Sequence, residues 1–202
     1  MTVLTDEQIF QSIMKKEITI HPILDLNQIQ GAKIDLRLAN LVYLIKHFEQ
    51  PYYDPRLCEE QTDYGEYRHL GFSKTARFIL QPGDFAIAPL FERVRLPANI
   101  LGRLDGRSSL GRLGLIIHAT AGGIDPGYTG IITCELSNLG KVPVALHPLQ
   151  RIAALTLETL DSEVVVPYRA KKDKKYASQL GTMLRSDKEF TTGILDRVAE
   201  NL

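Results

Sequence analysis

A glycine-bracketed stretch, GRSSLGRLG at residues 106–114, holds the residue types best suited to binding a charged ligand. Its glycines follow the spacing of the phosphate-binding pattern G-x-x-x-x-G-K-[ST]. Arg112 stands in place of the lysine, and Leu113 replaces the hydroxyl residue that would bind magnesium. That pattern also needs a strand before it and a helix after it, whereas the surrounding sequence predicts an all-β context. We therefore do not expect a P-loop here.

The chemistry of this stretch nevertheless suits phosphate. Exposed backbone N–H groups and the hydroxyls of Ser108 and Ser109 can donate hydrogen bonds to phosphate oxygens. The guanidinium groups of Arg107 and Arg112 add planar, permanently charged donors that match the same oxygens. A surface turn with incidental polar residues is the alternative that this stretch alone leaves open.

A second candidate group lies in HATAGGIDPGYTGIITCELSN, residues 118–138. The two-residue period of a strand places Ile132, Cys134 and Leu136 on one face and Glu135 on the other. A carboxylate in a mostly apolar strand is costly to desolvate unless a partner or a substrate uses it. Such a group can move protons as a general base and acid. A solvent-facing glutamate on the outer face of a sheet fits the alternation equally well.

The elements that must hold these residues are mostly strands. Short β-branched segments recur along the chain, separated by turn signals such as QPGD and DPGY. They span residues 17–22, 33–45, 76–81, 85–90, 115–119, 131–136, 142–146 and 152–160. This pattern favours an all-β barrel or sandwich over an alternating α/β fold. Near the start of the chain, Thr5 to Gln8 has the form of a capping box, which predicts a short opening helix.

Two segments are weakly similar to each other, LQPGDFAIAPL from Leu80 and LHPLQRIAAL from Leu146. Each places leucine and proline at a turn before an alanine-containing strand, which predicts equivalent hairpin entries into two layers of one jelly roll. Residues 50–75 show no clear period, and we expect a long surface excursion there. Ser186 with Glu189 predicts a second capping box and a C-terminal helix.

Composition limits the classes of partner. The 202 residues suit one domain, 1–202, with a closing segment at about 167–202. A formal net charge of zero argues against a nucleic-acid partner, although YRAKKDKKY at 168–176 carries five cations and could attract a polyphosphate.

The chain has no apolar run of membrane-spanning length and no secretory signal, so we expect no membrane association and a cytoplasmic location. Its two cysteines are expected to be reduced thiols.

Four blocks of the sequence together resemble the dCTP deaminase branch of the trimeric dUTPase superfamily. They are GAKIDLRLAN at 31–40, LPANILGRLDGRSSLGRLGL at 96–115, HATAGGIDPGYTGIITCELSN at 118–138 and PYRAKKDKKYASQLG at 167–181. The resemblance implies a mainly β domain, a dUTPase-like jelly roll or distorted β-barrel with a short N-terminal helix and a C-terminal helix. It also implies a homotrimer whose active sites are shared between subunits.

The resemblance gives roles to individual residues. Glu135 is the expected general base and acid, assisted by Ser108 and Arg112. Asp125, by itself a common turn residue, would contact the deoxyribose 3'-hydroxyl, and Tyr128, by itself a common packing residue, would lie under the sugar. The full set of expected substrate-binding residues is Arg107, Ser108, Ser109, Arg112, Ala121, Asp125, Tyr128, Thr133, Gln150, Tyr168, Lys175 and Gln179.

The implied reaction is hydrolytic deamination of dCTP to dUTP and ammonia. Zinc-dependent deaminases combine H-x-E with P-C-x-x-C; that combined signature does not occur in this sequence, and no zinc or other protein-held metal is expected. Mg²⁺ is expected as a companion of the triphosphate. The resemblance further implies that dTTP inhibits by binding the same pocket and acting on residues 118–121.

The end product is left open by the sequence. Gly122, Gly123 and Tyr128 are more similar to bifunctional members that also cleave dUTP to dUMP and diphosphate, a step in which Asp125 would help to activate water. A dUTPase without deaminase activity is the weaker interpretation, because SQLGTMLRSD is not a Gly- and Ser-rich phosphate loop. A nucleotide-binding regulator without catalysis is a further alternative, disfavoured by the complete set of acidic and basic residues.

Overall fold

The computed structural model of the chain describes residues 1–46, 65–120 and 122–171. Within them the protein is mainly β, as the sequence predicts. The strands are β1 Thr2–Val3, β2 Thr19–His21, β3 Ile29–Gln30, β4 Lys33–Arg37, β5 Leu41–Ile45, β6 Gly65–His69, β7 Phe78–Leu80, β8 Phe85–Arg95, β9 Ile100–Gly106, β10 Leu115–Ile116, β11 Gly123–Ile124, β12 Thr129–Asn138, β13 Val144–Leu146 and β14 Arg151–Thr159. The predicted C-terminal helix lies outside the described residues.

The opening helix, α1, spans Asp6–Met14. Its predicted capping box is confirmed: the Gln8 backbone N–H donates to the Thr5 hydroxyl, and the Thr5 backbone N–H donates to the Gln8 side chain at 3.0 Å. These two bonds satisfy donors that a helix start otherwise leaves unpaired. Ile9 is fully buried, so this face of the helix packs on the core, whereas Met14 at the last turn is exposed.

Two antiparallel sheets form the body of the domain. Among the described strands, one sheet has the order β11-β9-β14-β4-β3 with β1 added to β14, and the other has the order β10-β12-β8-β5-β6 with β2 added to β8. β7 and β13 form a separate two-stranded ribbon. Leucine and isoleucine side chains from the facing sides of the sheets fill one continuous core, which holds the edges and loops that carry polar residues.

The two related segments lead into different sheets, as predicted, but neither turn closes a hairpin, because no pairing among the described strands joins β7 to β8 or β13 to β14. β7 pairs with β13, and the strands that follow them, β8 and β14, belong to different sheets. The related turns QPGD and HPLQ thus send the chain into the two layers of the domain.

β12 has the predicted alternation. Ile132, Cys134 and Leu136 are buried in the core, and the residues between them face away from it. Burial raises the pKa of the Cys134 thiol to about 12, so this thiol is protonated and unreactive in the folded protein.

The sequence prediction is wrong in two places. β9 is a seven-residue central strand that the sequence did not predict, because Gly102, Arg103 and Asp105 interrupt its apolar pattern. Gly65–His69, placed in a surface excursion, forms β6 at the edge of its sheet. Within the ranges described above, no helix is both long enough and apolar enough to span a membrane.

Candidate active site

The glycine-bracketed stretch of residues 106–114, which we call the arginine–serine loop, begins at the last residue of β9. It contains a short helix, α2, at Ser108–Gly111, and the Arg107 N–H donates to the Ile152 carbonyl at 3.2 Å. Leu110 is buried and anchors the loop, whereas Ser108, Ser109 and Arg112 are exposed. The loop therefore presents two hydroxyls and a guanidinium to solvent from a fixed backbone.

Asp35 of β4 lies between two arginines. One carboxylate oxygen is 3.4 Å from Nη2 of Arg107 and 3.5 Å from Nη1 of Arg151. Arg151 also donates from Nη2 to Asp25 at 2.6 Å. This chain of four charges, which we call the ion-pair row, restrains Arg107 at the entrance to the loop. The strand K-I-D-L-R could have indicated Asp35, because the two-residue period separates it from the buried Ile34 and Leu36.

A buried polar network supports the ion-pair row from within. Gln28 donates at 2.8 Å to both the backbone carbonyl of Asp35 and Oε1 of Glu92. Glu92 also accepts from the backbone N–H of Arg37 at 2.8 Å and from its guanidinium at 3.1 Å. All three residues are at most 6% exposed. Burial raises the pKa of the Glu92 carboxyl, and hydrogen bonds from Arg37 oppose this rise.

Glu135 lies half-buried on the outer face of β12, beside the exposed Thr133. Its Oε2 accepts a hydrogen bond from the Ala119 backbone N–H at 2.9 Å, and its own N–H donates to the Ile117 carbonyl at 2.9 Å. Within the described residues, its Oε1 has no hydrogen-bond donor. The carboxylate is thus held by one oxygen and is available at the other.

The segment that follows is tightly packed around His118. A Cβ atom added to Gly122 would lie 2.9 Å from the Leu104 carbonyl oxygen and 3.0 Å from Cε1 of His118. His118 Nδ1 is buried and, in the described part of the chain, has no hydrogen-bond partner. Ala121, one of the expected substrate-binding residues, lies outside the described residues.

The turn from Asp125 to Tyr128, which we call the floor, is fixed by two hydrogen bonds of Tyr128. The Tyr128 N–H donates to the Asp125 carbonyl at 3.1 Å, and the Tyr128 hydroxyl donates to the Ile131 carbonyl at 2.8 Å. Burial, together with the neighbouring Tyr168, raises the pKa of the Tyr128 phenol. Tyr128 is therefore a neutral, fixed packing surface.

Residues 167–171, which we call the strap, lie against this floor. The Tyr168 N–H donates to the Pro126 carbonyl at 2.9 Å, and the rings of Tyr128 and Tyr168 are tilted with centroids 5.4 Å apart. Lys171 pairs with Asp125 at 2.6 Å. In the sequence Lys171 is one member of a basic run, which gives no indication of this partner.

Gln150 has a different environment from the other predicted ligands. Its side-chain oxygen accepts from the His147 N–H at 2.9 Å, within the turn that leads into β14. Lys175 and Gln179 lie outside the described residues, so their predicted contacts remain predictions.

Among the predicted site residues, Tyr128 contacts both Asp125 and Tyr168, whereas Arg107 belongs to the ion-pair row. Among the described side chains, Glu135 forms no hydrogen bond or ion pair with Ser108 or Arg112. The part of the chain that the structure describes contains no cluster of three or more His, Cys, Asp or Glu side chains that could hold a metal ion.

Comparison with known proteins defines the class first. The crystal structure of 2'-deoxycytidine 5'-triphosphate deaminase from Agrobacterium tumefaciens has the same fold, with a TM-score of 0.62 and 24% identity. The alignment covers 78% of this chain and 48% of that one. The family model described as dCTP deaminase-like matches residues 3–160. The chain belongs to the dCTP deaminase-like family.

Curated relatives agree with this assignment. The chain is 41% identical over 191 residues to a dCTP deaminase, dUMP-forming, of Methanosphaera stadtmanae, covering 94% of this chain and 95% of the relative. It is 43% identical over 180 residues to a protein of the same name from Dictyoglomus turgidum, covering 89% and 91%. It is 40% identical over 192 residues to a dCTP deaminase of Haloarcula marismortui, covering 93% and 97%.

Proposed function

We propose that this protein deaminates dCTP hydrolytically to dUTP and ammonia, with Glu135 as general base and acid. The observation that carries the proposal is the half-buried Glu135 carboxylate, which is fixed at Oε2 by the Ala119 N–H and has no described donor at Oε1. A base must reach the proton that it removes while its own orientation is fixed. The assignment to the dCTP deaminase-like family supports dCTP as the substrate.

The reaction moves both protons of the attacking water. As the water adds to C4 of cytosine, its first proton is transferred to N3; the resulting C4 hydroxyl then loses its second proton, which goes to the departing amine as the carbonyl forms. One carboxylate can perform these steps in sequence. In this mechanism Thr133, exposed on the same face of β12, lies beside the base, and Tyr128 supports the sugar.

The triphosphate of the nucleotide would bind at the arginine–serine loop. Ser108, Ser109 and Arg112 are exposed there, and Arg107 is oriented by Asp35. Lys175 and Gln179 would grip the phosphates from the C-terminal segment. Mg²⁺ would enter with the triphosphate, held by phosphate oxygens and water; the guanidinium groups of the loop suit the phosphates and not the cation.

The catalytic residues would be completed by a second subunit. Ser108 and Arg112 can assist Glu135 if the loop of one protomer meets the β12 face of another in a homotrimer. This arrangement accounts for the lack of a hydrogen bond or ion pair between Glu135 and these two residues within the described part of one chain. The enzyme is expected to act in the cytoplasm, with dTTP as an inhibitor at the same pocket.

A second activity, hydrolysis of dUTP to dUMP and diphosphate, is favoured by Gly122. The close approach of Leu104 and His118 leaves no space for a side chain there, which matches the small residues of the bifunctional members. Two of the relatives compared are named dUMP-forming. Asp125 would then help to activate the water that attacks the α-phosphorus.

Product analysis tests both activities. The purified full chain, treated with chelator and supplied with Mg²⁺, is incubated with dCTP, and the products are resolved. Ammonia with dUTP supports deamination alone, and ammonia with dUMP and diphosphate supports both steps. Binding without turnover would favour the regulator, and a requirement for zinc would contradict the mechanism.

The Glu135→Gln variant tests the assigned base. We expect kcat for ammonia release to fall by about 10²–10⁴-fold, the range for losing a general acid–base group, with dCTP still bound. Glu163→Gln, at an exposed glutamate, is the matched control. Normal ammonia release by Glu135→Gln would show that the base is misassigned.

A further inference from the structure

We propose that Lys171 is a positioning residue for deoxyribose recognition: it holds one oxygen of the Asp125 carboxylate so that the other accepts the sugar 3'-hydroxyl. This inference rests on the proposed function, in which Asp125 contacts the sugar. It assigns a role to a lysine that neither the sequence motifs nor the reaction require.

The contact itself divides the carboxylate into two differently engaged oxygens. Nζ of Lys171 lies 2.6 Å from Oδ2 of Asp125. Within the described residues, Oδ1 of Asp125 receives no hydrogen bond. Both side chains are 46% exposed, so the second oxygen of Asp125 is accessible to a ligand. A hydroxyl is a suitable donor to that oxygen, because a charged acceptor strengthens the bond.

The lysine is held in place by its surroundings. Its ammonium lies 5.6 Å from the centroid of the Tyr168 ring, within the range of a cation–π contact. Its backbone N–H donates to the Tyr168 carbonyl at 3.2 Å. The strap also contacts the Asp125 turn: the added Cβ of Gly127 would lie 2.5 Å from Cβ of Pro167. Both partners of the ion pair are therefore carried by segments packed directly on each other.

Lys171 would act by fixing the orientation of the Asp125 carboxylate. A half-exposed aspartate can rotate about its side-chain torsions, and a ligand that needs one orientation must restrict that motion on binding. Lys171 restricts the motion before the nucleotide arrives. Because exposed ion pairs contribute little, we expect its loss to weaken dCTP binding by only about two- to fivefold.

The test compares two ligands that differ in the 3'-hydroxyl. Dissociation constants of dCTP and of 2',3'-dideoxycytidine triphosphate are measured by calorimetry on the full chain, in a Glu135→Gln background so that dCTP is not consumed. In Lys171→Met, the constant for dCTP should rise about two- to fivefold, and that for the dideoxy ligand should stay unchanged. Lys171→Arg should restore dCTP binding, and Lys141→Met, at an exposed lysine, should alter neither constant.

Three results would overturn the proposal. Equal weakening of both ligands would assign Lys171 to phosphate attraction or to folding, and no change in either would remove its role. Tighter dCTP binding would show that the lysine competes with the sugar. Failure of the proposed function is seen separately, as an absence of deamination by the unaltered protein, and the two-ligand comparison tests Lys171 in that case as well.

Discussion

The two sides of the candidate site are held by different forces. The floor and the strap are held together mainly by packing: an aromatic pair and a glycine–proline contact fix them, in addition to the Lys171–Asp125 ion pair. The side that carries the arginine–serine loop is held by charge, with Arg107 restrained through the ion-pair row and the buried network beneath it. Packing is insensitive to salt and pH, whereas exposed charges are screened. The comparison therefore predicts that the two sides respond differently to the same perturbation.

The largest effect on stability is expected from removing the Glu92 carboxylate of the buried network. Glu92→Met leaves the Arg37 guanidinium buried without its carboxylate, which should lower the free energy of unfolding by about 3–5 kcal/mol. Urea unfolding at fixed protein concentration measures the loss, because subunit association makes stability depend on concentration. The double variant Arg37→Met/Glu92→Met should recover much of it. A double variant as unstable as Glu92→Met would contradict the ionic explanation.

Glu92→Gln adds a pH dependence to this test. Burial raises the pKa of Glu92 above its ordinary value of 4.5, so the folded state binds the proton more tightly than the unfolded state does. The unaltered protein should therefore lose stability relative to Glu92→Gln as the pH rises from 4.5 through the folded pKa. A difference that grows in the opposite direction would mean that Arg37 outweighs the desolvation.

The packed side is tested by Gly127→Ala. Gly127 has φ +81°, and its added Cβ would meet Pro167 at 2.5 Å, so the strap must move. We expect a loss of about 1–3 kcal/mol, unchanged between low and high salt, by urea unfolding. Gly83→Ala is the control, because Gly83 has φ +85° with open space around it. Equal losses in the two variants would remove the role of the Pro167 contact.

The smallest effect is expected at Asp35. Asp35→Asn removes the shared partner of Arg107 and Arg151, which should cost about 0.5–1 kcal/mol at low salt and much less at 1 M salt. Asp105→Asn, whose carboxylate is 3.9 Å from Lys33 and exposed, should change stability less. A loss at Asp35 that persists at high salt would contradict the view that charge holds this side.

The sequence predicts the regular elements well and the irregular ones poorly. The α1 capping box and the alternation in β12 are local patterns, and both are confirmed. β9 was missed because Gly102 occupies one of its core-facing positions and interrupts the apolar alternation of a strand that pairs with both β14 and β11. That pairing depends on residues distant in the chain, which local periodicity does not reveal.

The site shows the same division. The exposed loop and the outward-facing Glu135 could be inferred from residue types and spacing. The Lys171–Asp125 pair and the Gln28–Glu92 bond could not, because 46 and 64 residues separate their partners. The sequence names the groups that carry chemistry, and the fold determines which of them restrain one another.

The buried thiol of Cys134 has a practical consequence. It neighbours Glu135 on β12 and is fully enclosed, so an alkylating dye reaches it only when that strand separates from the core. In a Cys58→Ser variant, Cys134 is the sole cysteine of the chain. The labelling rate of that variant, with and without nucleotide, would therefore record how often β12 opens and how strongly a bound nucleotide holds it closed.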